Sequence, residues 1–410
     1  MIQPFDLNLR HLRAVPLIVR HGNMSAAAAA ASLSQPALTQ GIAKLEGQLG
    51  VRLFERRPDG MTATAQGQAF ARRVDTALAH LGAFARAGGR GFARPDRLMT
   101  VTQLRAFLAL VDAGSFAEAA RSACWSQPAI HRAVRDLEQI GGLRLAERRG
   151  RGVVLTPDGR RLARAARLMR SELAAAFEDL SPDASERGRL VVGAMPLCRA
   201  RLLPTAIAAL IRSAPRATVD IVDGSWRELV EPLRDGQIDM MIGALREDPA
   251  PVDIAQEPLL VDRLAVVARA GHPLAGTAPR LDELAAFSWV VGRFGTPLRG
   301  HWQEMFDGCD APHAPIECGS AMTIRGILLD SDYLTLLSHD QVAMEVDAGL
   351  LTLIDPPAPS ITRTIGIATR AGWQPTFLQL RLIEILRDAV RAEFAKTYRL
   401  SSDPIGSGVY

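Results

Sequence analysis

The segment SQPALTQGIAKLE at 34–46 returns as SQPAIHRAVRDLE at 126–138, an offset of 92 residues. Held without a gap, this register aligns 12–67 with 104–159 and finds the same residue at 23 of 56 positions. A repeat of that size constrains the fold more than any bulk property. The chain must hold the same small module twice, followed by a region that does not repeat. Its 410 residues are too many for one ordinary core, which agrees with several domains. With 48% hydrophobic and 22% charged residues, the composition is that of a globular chain.

The net charge of +4 hides a division. Residues 1–180 hold 26 Lys+Arg against 15 Asp+Glu, and the remainder holds 22 against 29. A basic front and an acidic back suggest a polyanion-binding part joined to a part with another task. Arginine supplies 46 of the 48 cationic side chains, Lys44 and Lys396 being the exceptions. The cysteines at 124, 198, 309 and 318 have no metal or redox spacing and suit a reducing compartment. The N-terminus lacks a secretory pattern, and no stretch reaches the ~20 apolar residues of a membrane span. These features predict a cytoplasmic protein.

In the second copy, Leu104, Phe107, Leu108, Leu110 and Val111 form a helical stripe over 101–113. Gly114 stops it, and Ser115 caps a short helix over 116–122. Ser126-Gln127-Pro128 then opens a third helix to about 138, with Ile130, Val134 and Leu137 inward. The first copy follows the same plan. Leu12, Val15 and Val19 form its stripe, Gly22 the stop, Asn23 the cap, and Ser34-Gln35-Pro36 the third start. Two short helices joined by a tight turn are helix-turn-helix architecture. Each copy continues into an arginine-bearing two-stranded wing, its tip near Gly60 or Gly152, and then a long helix over 66–87 or 158–180.

The run DAGSFAEAARSACWSQPAIHRAVRDLEQIGGLRLAERRGRGVVLTPDG resembles the DNA-binding domain of the LysR-type transcriptional regulators. The first copy matches through SQPALTQGIAKLEGQLGVRLFERR. The resemblance implies that the start of each third helix enters the major groove. The implied DNA-binding residues of copy one are Ser34, Gln35, Pro36, Thr39, Gln40 and Lys44, with wing residues Arg56 and Arg57. Those of copy two are Ser126, Gln127, Pro128, His131, Arg132 and Arg135, with Arg148, Arg149 and Arg151 in the wing. Gln suits adenine and Arg guanine, whereas wing arginines suit phosphate or the minor groove.

The copies depart from the family pattern in places. Gly41 lies inside the first recognition helix, at a cost of about 1 kcal/mol against Ala. His131 replaces a small hydroxyl residue, and Ala146 stands where copy one has Phe54. Members normally carry one such domain and dimerise through the helix after the wing. The joint at 88–97 spans up to about 33–36 Å if extended, enough for the two long helices to pair within one chain. Pairing between chains through copy two, with copy one as an accessory arm, is the alternative.

After 181–185 (SPDAS) strands and helices alternate. Strands are predicted at 189–195, 218–222 and 239–243, with helices at 202–212 and 225–234 between them, a βαβαβ order implying a parallel sheet. A second lobe begins with a strand at 264–269 and continues through 281–286, 289–291, 316, 334–337 and 351–354. The chain returns through 364–369 to a closing helix at 376–394. The motifs GAMPLCRARLLPTAI, LRDGQIDMMIG, HPLAG followed by LDELA, and GSAMTIRGILLDSDYLTLLS resemble the effector-binding domain of the same regulators. That domain is two-lobed, like periplasmic solute-binding proteins.

The fold class is therefore multidomain: two all-α/winged helix-turn-helix domains, then a two-lobed α/β periplasmic-binding-protein-like effector domain. The boundaries are 1–67, a linker helix and Gly-rich joint at 68–97, 98–159, a second linker or dimerisation helix at 160–186, 187–398, and a flexible tail at 399–410. The resemblance places the effector between lobes, where helix N-termini attract anions. Its candidates are Met195, Pro196, Leu197 and Cys198, then Arg293, Phe294, Gly295 and Thr296, then Ser320, Ala321 and Met322. Arg293 suits a carboxylate. Pro196 and Leu197 stand where the family often has Ser or Thr, which weakens the case for a polar first-lobe contact.

The eight histidines show no metal-binding spacing, and no GxSxG or GxxxxGK motif occurs. No metal, cofactor or catalytic residue is expected. The implied function is sequence-specific transcriptional regulation of double-stranded DNA by a homo-oligomer, modulated by a small effector. The ligand changes lobe orientation and so the spacing or bend at the DNA-reading modules. The rival is a cytoplasmic small-molecule-binding protein whose helix-turn-helix modules serve assembly.

Overall fold

The computed structural model describes residues 2–57, 60–86, 95–150, 152–246, 251–356 and 361–400. The chain folds as two compact units, one built mainly on residues up to Gly188 and the other on those from Arg189 onward.

In the first unit the repeat becomes visible as geometry. Copy one runs α1 (Leu9–His21), α2 (Met24–Ala31), α3 (Gln35–Leu49), β1 (Phe54–Arg57), β2 (Gly60–Ala63) and α4 (Ala65–Arg86). A short helix, α5 (Pro95–Leu98), then leads into α6 (Val101–Ala113), α7 (Phe116–Ala123), α8 (Gln127–Gly141), β3 (Ala146–Arg149), β4 (Gly152–Leu155) and α9 (Pro157–Leu180). α5 occupies the end of the stretch expected as a Gly-rich joint; residues 87–94 lie outside the described set.

The first stripe differs from expectation in one place. Leu12, Val15 and Ile18 are buried, but Val19 is exposed. Ile18 and its counterpart Leu110 face inward, as do Pro16 and Leu108, so both copies bury the same face. Gly22 and Gly114 end α1 and α6 in the left-handed region at φ 66° and 68°, where a side chain is costly.

The backbone explains the repeated glycine after the wing. α4 and α9 pass so close to the preceding loop that a Cβ on Gly67 or Gly159 would overlap the carbonyl oxygen of Leu53 or Leu145. Gly41 has a similar explanation: a Cβ there would lie 2.7 Å from His11 Cδ2, so the glycine accommodates the His11 ring.

α4 packs along α9 in one apolar core that runs from Phe5 to Leu180. Phe70, Val74, Ala77 and Leu81 on α4 are buried, as are Leu162, Ala166, Met169 and Leu173 on α9. Arg73 is buried too, 3.2 Å from Glu172 and 2.9 Å from Asp179. The N-terminal segments cross over reciprocally. Arg13 donates to the Arg97 carbonyl oxygen at 3.1 Å, and Arg105 pairs with Asp6 at 3.6 Å. Arg13 and Arg105 are equivalent positions of the repeat.

The second unit comprises β5 (Arg187–Ala194), α10 (Leu202–Ser213), β6 (Arg216–Asp223), α11 (Trp226–Arg234), β7 (Met240–Ala244), β8 (Ile254–Arg269), α12 (Leu281–Ala285), β9 (Val290–Val291), α13 (Pro297–Met305), β10 (Ile316–Glu317), α14 (Ala321–Leu329), β11 (Thr335–Ser338), α15 (His339–Asp347), β12 (Leu351–Ile354), β13 (Thr362–Arg370) and α16 (Phe377–Leu400). The main sheet has the order β11-β8-β13-β7-β5-β6, with β12 also paired to β8. β5 and β7 are parallel, as the βαβαβ pattern predicts.

The strand expected at 264–269 is the end of a longer one. β8 starts at Ile254, pairs with β13 over Ile254–Arg263, and then pairs with β11 and β12. Hydrogen bonding along β13 therefore carries the strand through Pro258, which cannot donate to the ladder. β8 serves both lobes, whose cores are separate. One holds Leu190, Val192, Ile242 and Leu382, and the other Leu264, Trp289, Trp302 and Phe306. The closing helix extends to Leu400, and residues 401–410 of the expected tail lie outside the described set.

Gly67→Ala and Gly159→Ala should each destabilise the chain by roughly 1–3 kcal/mol through overpacking. Gly47→Ala, in α3 with open space where its Cβ would go, should stabilise by roughly 0.4–1 kcal/mol. Urea denaturation of the three variants measures both signs.

Candidate nucleic-acid interface and ligand cleft

The Ser34 and Ser126 side chains cap α3 and α8, accepting from the amides of Ala37 at 3.4 Å and Ala129 at 3.3 Å. This satisfies helix-start donors and leaves the next turn facing outward. Gln35, Pro36, Gln40 and Lys44 are exposed in α3, as are Gln127, Pro128, Arg132 and Arg135 in α8. Two candidates are less free. The Thr39 hydroxyl donates back to the Gln35 carbonyl oxygen at 2.9 Å, and the His131 ring stacks on Phe116 with centroids 3.6 Å apart. Burial, then Arg148 and Arg135, push the His131 pKa below its ordinary value. Gln35 Oε1 accepts from the Ser25 hydroxyl at 2.9 Å, whereas Ala117 stands at the equivalent place beside Gln127.

The wings are fixed to these helices by the same device in both copies. The Glu46 carboxylate accepts from the amides of Leu53 at 2.8 Å and Phe54 at 3.1 Å, and Glu138 from those of Leu145 and Ala146 at 2.9 and 3.4 Å. Charge-assisted bonds of this kind are strong. The Gly22 and Gly114 carbonyls take the Met61 and Val153 amides, each at 2.8 Å. The exposed Arg56, Arg57, Arg148 and Arg149 are thereby held near the recognition helices; Arg151 lies outside the described residues.

In the second unit the candidate cleft residues divide. Met195, Leu197 and Cys198 are buried, and Pro196 is exposed. The Cys198 thiol lies 3.2 Å from the Met195 carbonyl oxygen and 3.1 Å from that of Ile242, and burial pushes its pKa up to about 12. Leu197 and Cys198 form part of the wall of a cavity of about 400 Å³ that also touches Arg201, Ser338 and Asp340.

The other candidates gather at one end of the second lobe. β9 and β10 are parallel neighbours, so the loops after them emerge together. One carries exposed Arg293, Phe294 and Gly295 with half-buried Thr296, and the other leads to Ser320, the cap of α14, followed by Ala321 and exposed Met322. The first-lobe groups near this cluster escaped the sequence reading. A Cβ on Gly295 would lie 3.9 Å from the Arg227 guanidinium. The amide and hydroxyl of Ser225 depress the Glu228 pKa, and Arg293 lowers it further. Arg246 follows β7 and lies over the Trp226 ring at 5.4 Å; burial and Arg227 lower its pKa. In a chain this rich in arginine, Arg227 and Arg246 carry no local motif, and only the fold brings Arg227 beside Gly295 and Arg246 within electrostatic reach of Arg227.

The family model "LysR substrate binding domain" matches residues 183–391. "Bacterial regulatory helix-turn-helix protein, lysR family" matches residues 9–68 and 101–160. The HTH-type transcriptional regulator GalR of Pseudomonas putida is 32% identical, over 93% of this chain and 97% of its own. The HTH-type transcriptional regulator PcaQ of Agrobacterium fabrum is 28% identical, over 72% of this chain and 96% of its own. Among solved structures, a full-length OxyR variant from Pseudomonas aeruginosa has 27% identity and a TM-score of 0.55, covering 72% of this chain and 95% of that one.

With its thiol pKa near 12, Cys198 carries negligible thiolate at pH 8. Iodoacetamide should alkylate exposed Cys124 and Cys309 in the native protein and reach Cys198 only after unfolding, as peptide mass spectrometry would show.

Proposed function

This chain belongs to the LysR family of DNA-binding, effector-modulated transcriptional regulators, and we propose that it reads DNA with two winged helix-turn-helix domains paired inside one chain. The observation that carries this reading is the reciprocal crossing of Arg13 to Arg97 and Arg105 to Asp6, made by equivalent residues. The packing of α4 on α9 supports it. So does the match to PcaQ, which uses nearly all of that regulator yet leaves over a quarter of this chain unmatched.

On this reading α3 and α8 enter successive major grooves. Gln35, Thr39, Gln40 and Lys44 face one half-site; Gln127, His131, Arg132 and Arg135 face the other. The two faces differ, so the half-sites differ. Arg56, Arg57, Arg148 and Arg149 neutralise phosphates, as does Arg151. A chromosomal target implies work in the cytoplasm.

The effector sits among Pro196, Arg293, Phe294, Gly295, Thr296, Ser320, Ala321 and Met322, and is a carboxylate. Arg227, Arg246 and Arg293 supply the cationic surroundings, and the indole of Trp226 an apolar wall. It acts through its different affinities for two lobe arrangements.

Gln35→Ala and Gln127→Ala should each cost about 1–3 kcal/mol of DNA binding and relax specificity at one half-site only. Footprinting and anisotropy on the chain's own upstream DNA read both effects. If one substitution leaves binding intact, that copy is scaffold and the two-reader proposal fails. For the effector, Arg293→Ala should weaken carboxylate binding by roughly 1.5–3 kcal/mol in calorimetry. A carboxylate bound equally well by the variant would remove Arg293 from the site.

A further inference from the structure

The repeat register continues into the long helices, since α4 starts at Ala65 and α9 at Pro157, 92 residues on. Both helices bury apolar residues in the shared core. The ionic part is different. Arg73 is 4% exposed and pairs with Glu172, itself 7% exposed, and with Asp179. The counterpart of Arg73 in α9 is Ala165. The counterparts of Glu172 and Asp179 in copy one are His80 and Ala87. The first helix therefore supplies only the cation, and the second only the anions.

We infer that this one-sided ion cluster is a pairing key that makes α4 accept α9 and makes each helix reject a second copy of itself. Were two α4 helices to pair in the same way, each buried Arg73 would meet His80 and no carboxylate. Were two α9 helices to pair, each Glu172 would meet Ala165 and no cation. An unpaired buried charge costs far more than a well-paired one gains, so the cluster works mainly by penalising the wrong partner. A regulator with one copy has only like helices to bring together. This chain has lost that option on both helices and holds the complementary pair in itself. The occupant of the α9 face is therefore an α4 helix, supplied here by the same chain, and a second α9 is excluded. The inference rests on the reading of the two copies as paired modules, but not on their contact with DNA.

The test uses full-length chains, thermal unfolding and sedimentation velocity, without DNA. Arg73→Glu alone should lower the first unfolding transition by several degrees, and adding Glu172→Arg should recover most of the loss. Arg73→Leu and Glu172→Leu should each destabilise, and the Arg73→Leu, Glu172→Leu double variant should lose less than the sum of the two, which keeps the test open if reversed charges prevent folding. The selective readout is Arg73→Ala combined with Ala165→Arg. That change puts cation and anions on α9 alone, makes it self-complementary, and should raise the sedimenting mass at equal concentration by joining chains through α9. If the effects of the paired substitutions simply add, or the relocated cation leaves the mass at the wild-type value, the key is overturned. A chain that pairs as inferred yet fails to bind a duplex with two half-sites sinks only the DNA reading.

Discussion

Each module depends on one junction, where a recognition helix, a wing and a long helix meet. The carboxylate of Glu46 or Glu138 takes two backbone amides at the start of the wing, and the next helix passes against the carbonyl of Leu53 or Leu145. The carboxylate fixes the wing to the recognition helix, and the missing Cβ at Gly67 or Gly159 lets the long helix seat beside both. The threonine before each helix completes the junction: Thr64 and Thr156 donate to the carbonyls of Arg52 and Arg144 and accept from the amides of Gly67 and Gly159. Exposed arginines on a two-stranded ribbon would otherwise have no defined position relative to the exposed face of α3 or α8.

The two copies keep this junction and diverge elsewhere. Arg13 and Arg105 do the same job from equivalent places, each tying its first helix to the segment ahead of the other copy. Arg73, Glu172 and Asp179 have no equivalents, and they lie where the copies meet. The shared contacts are made by equivalent residues of the two copies, and the unshared ones join unlike residues. The recognition faces diverge in the same sense: Gln35 is held by the Ser25 hydroxyl, and His131 lies flat on Phe116.

The sequence showed more of the first unit than of the second for a physical reason. Helix stops, caps and tight approaches demand particular residue types, so Gly22, Ser34, Glu46 and Gly67 recur at fixed spacing as their counterparts do 92 residues on. Gly41 shows the limit of local propensity: it reads as a defect until the His11 ring is seen in the space it leaves. In the second unit, residues 254–263 contain Pro258 and little alternation, and they become strand because β13 pairs with them. The loop after β5 reads as a motif, but only the fold shows that Met195, Leu197 and Cys198 are buried, that Leu197 and Cys198 line a cavity, and that Pro196 is exposed.

The sequence alone determined the 92-residue repeat, the succession of short helices in each copy and the alternating strands and helices of the rest, because each is written in local spacing. Tertiary structure decided what meets across distance. It placed α4 against α9, buried Arg73 between two carboxylates, and brought Arg227 near Gly295. Those outcomes depend on which surfaces remain unfilled once the local elements have formed. An arginine in a chain with 46 of them carries no sign of its partner until packing supplies one.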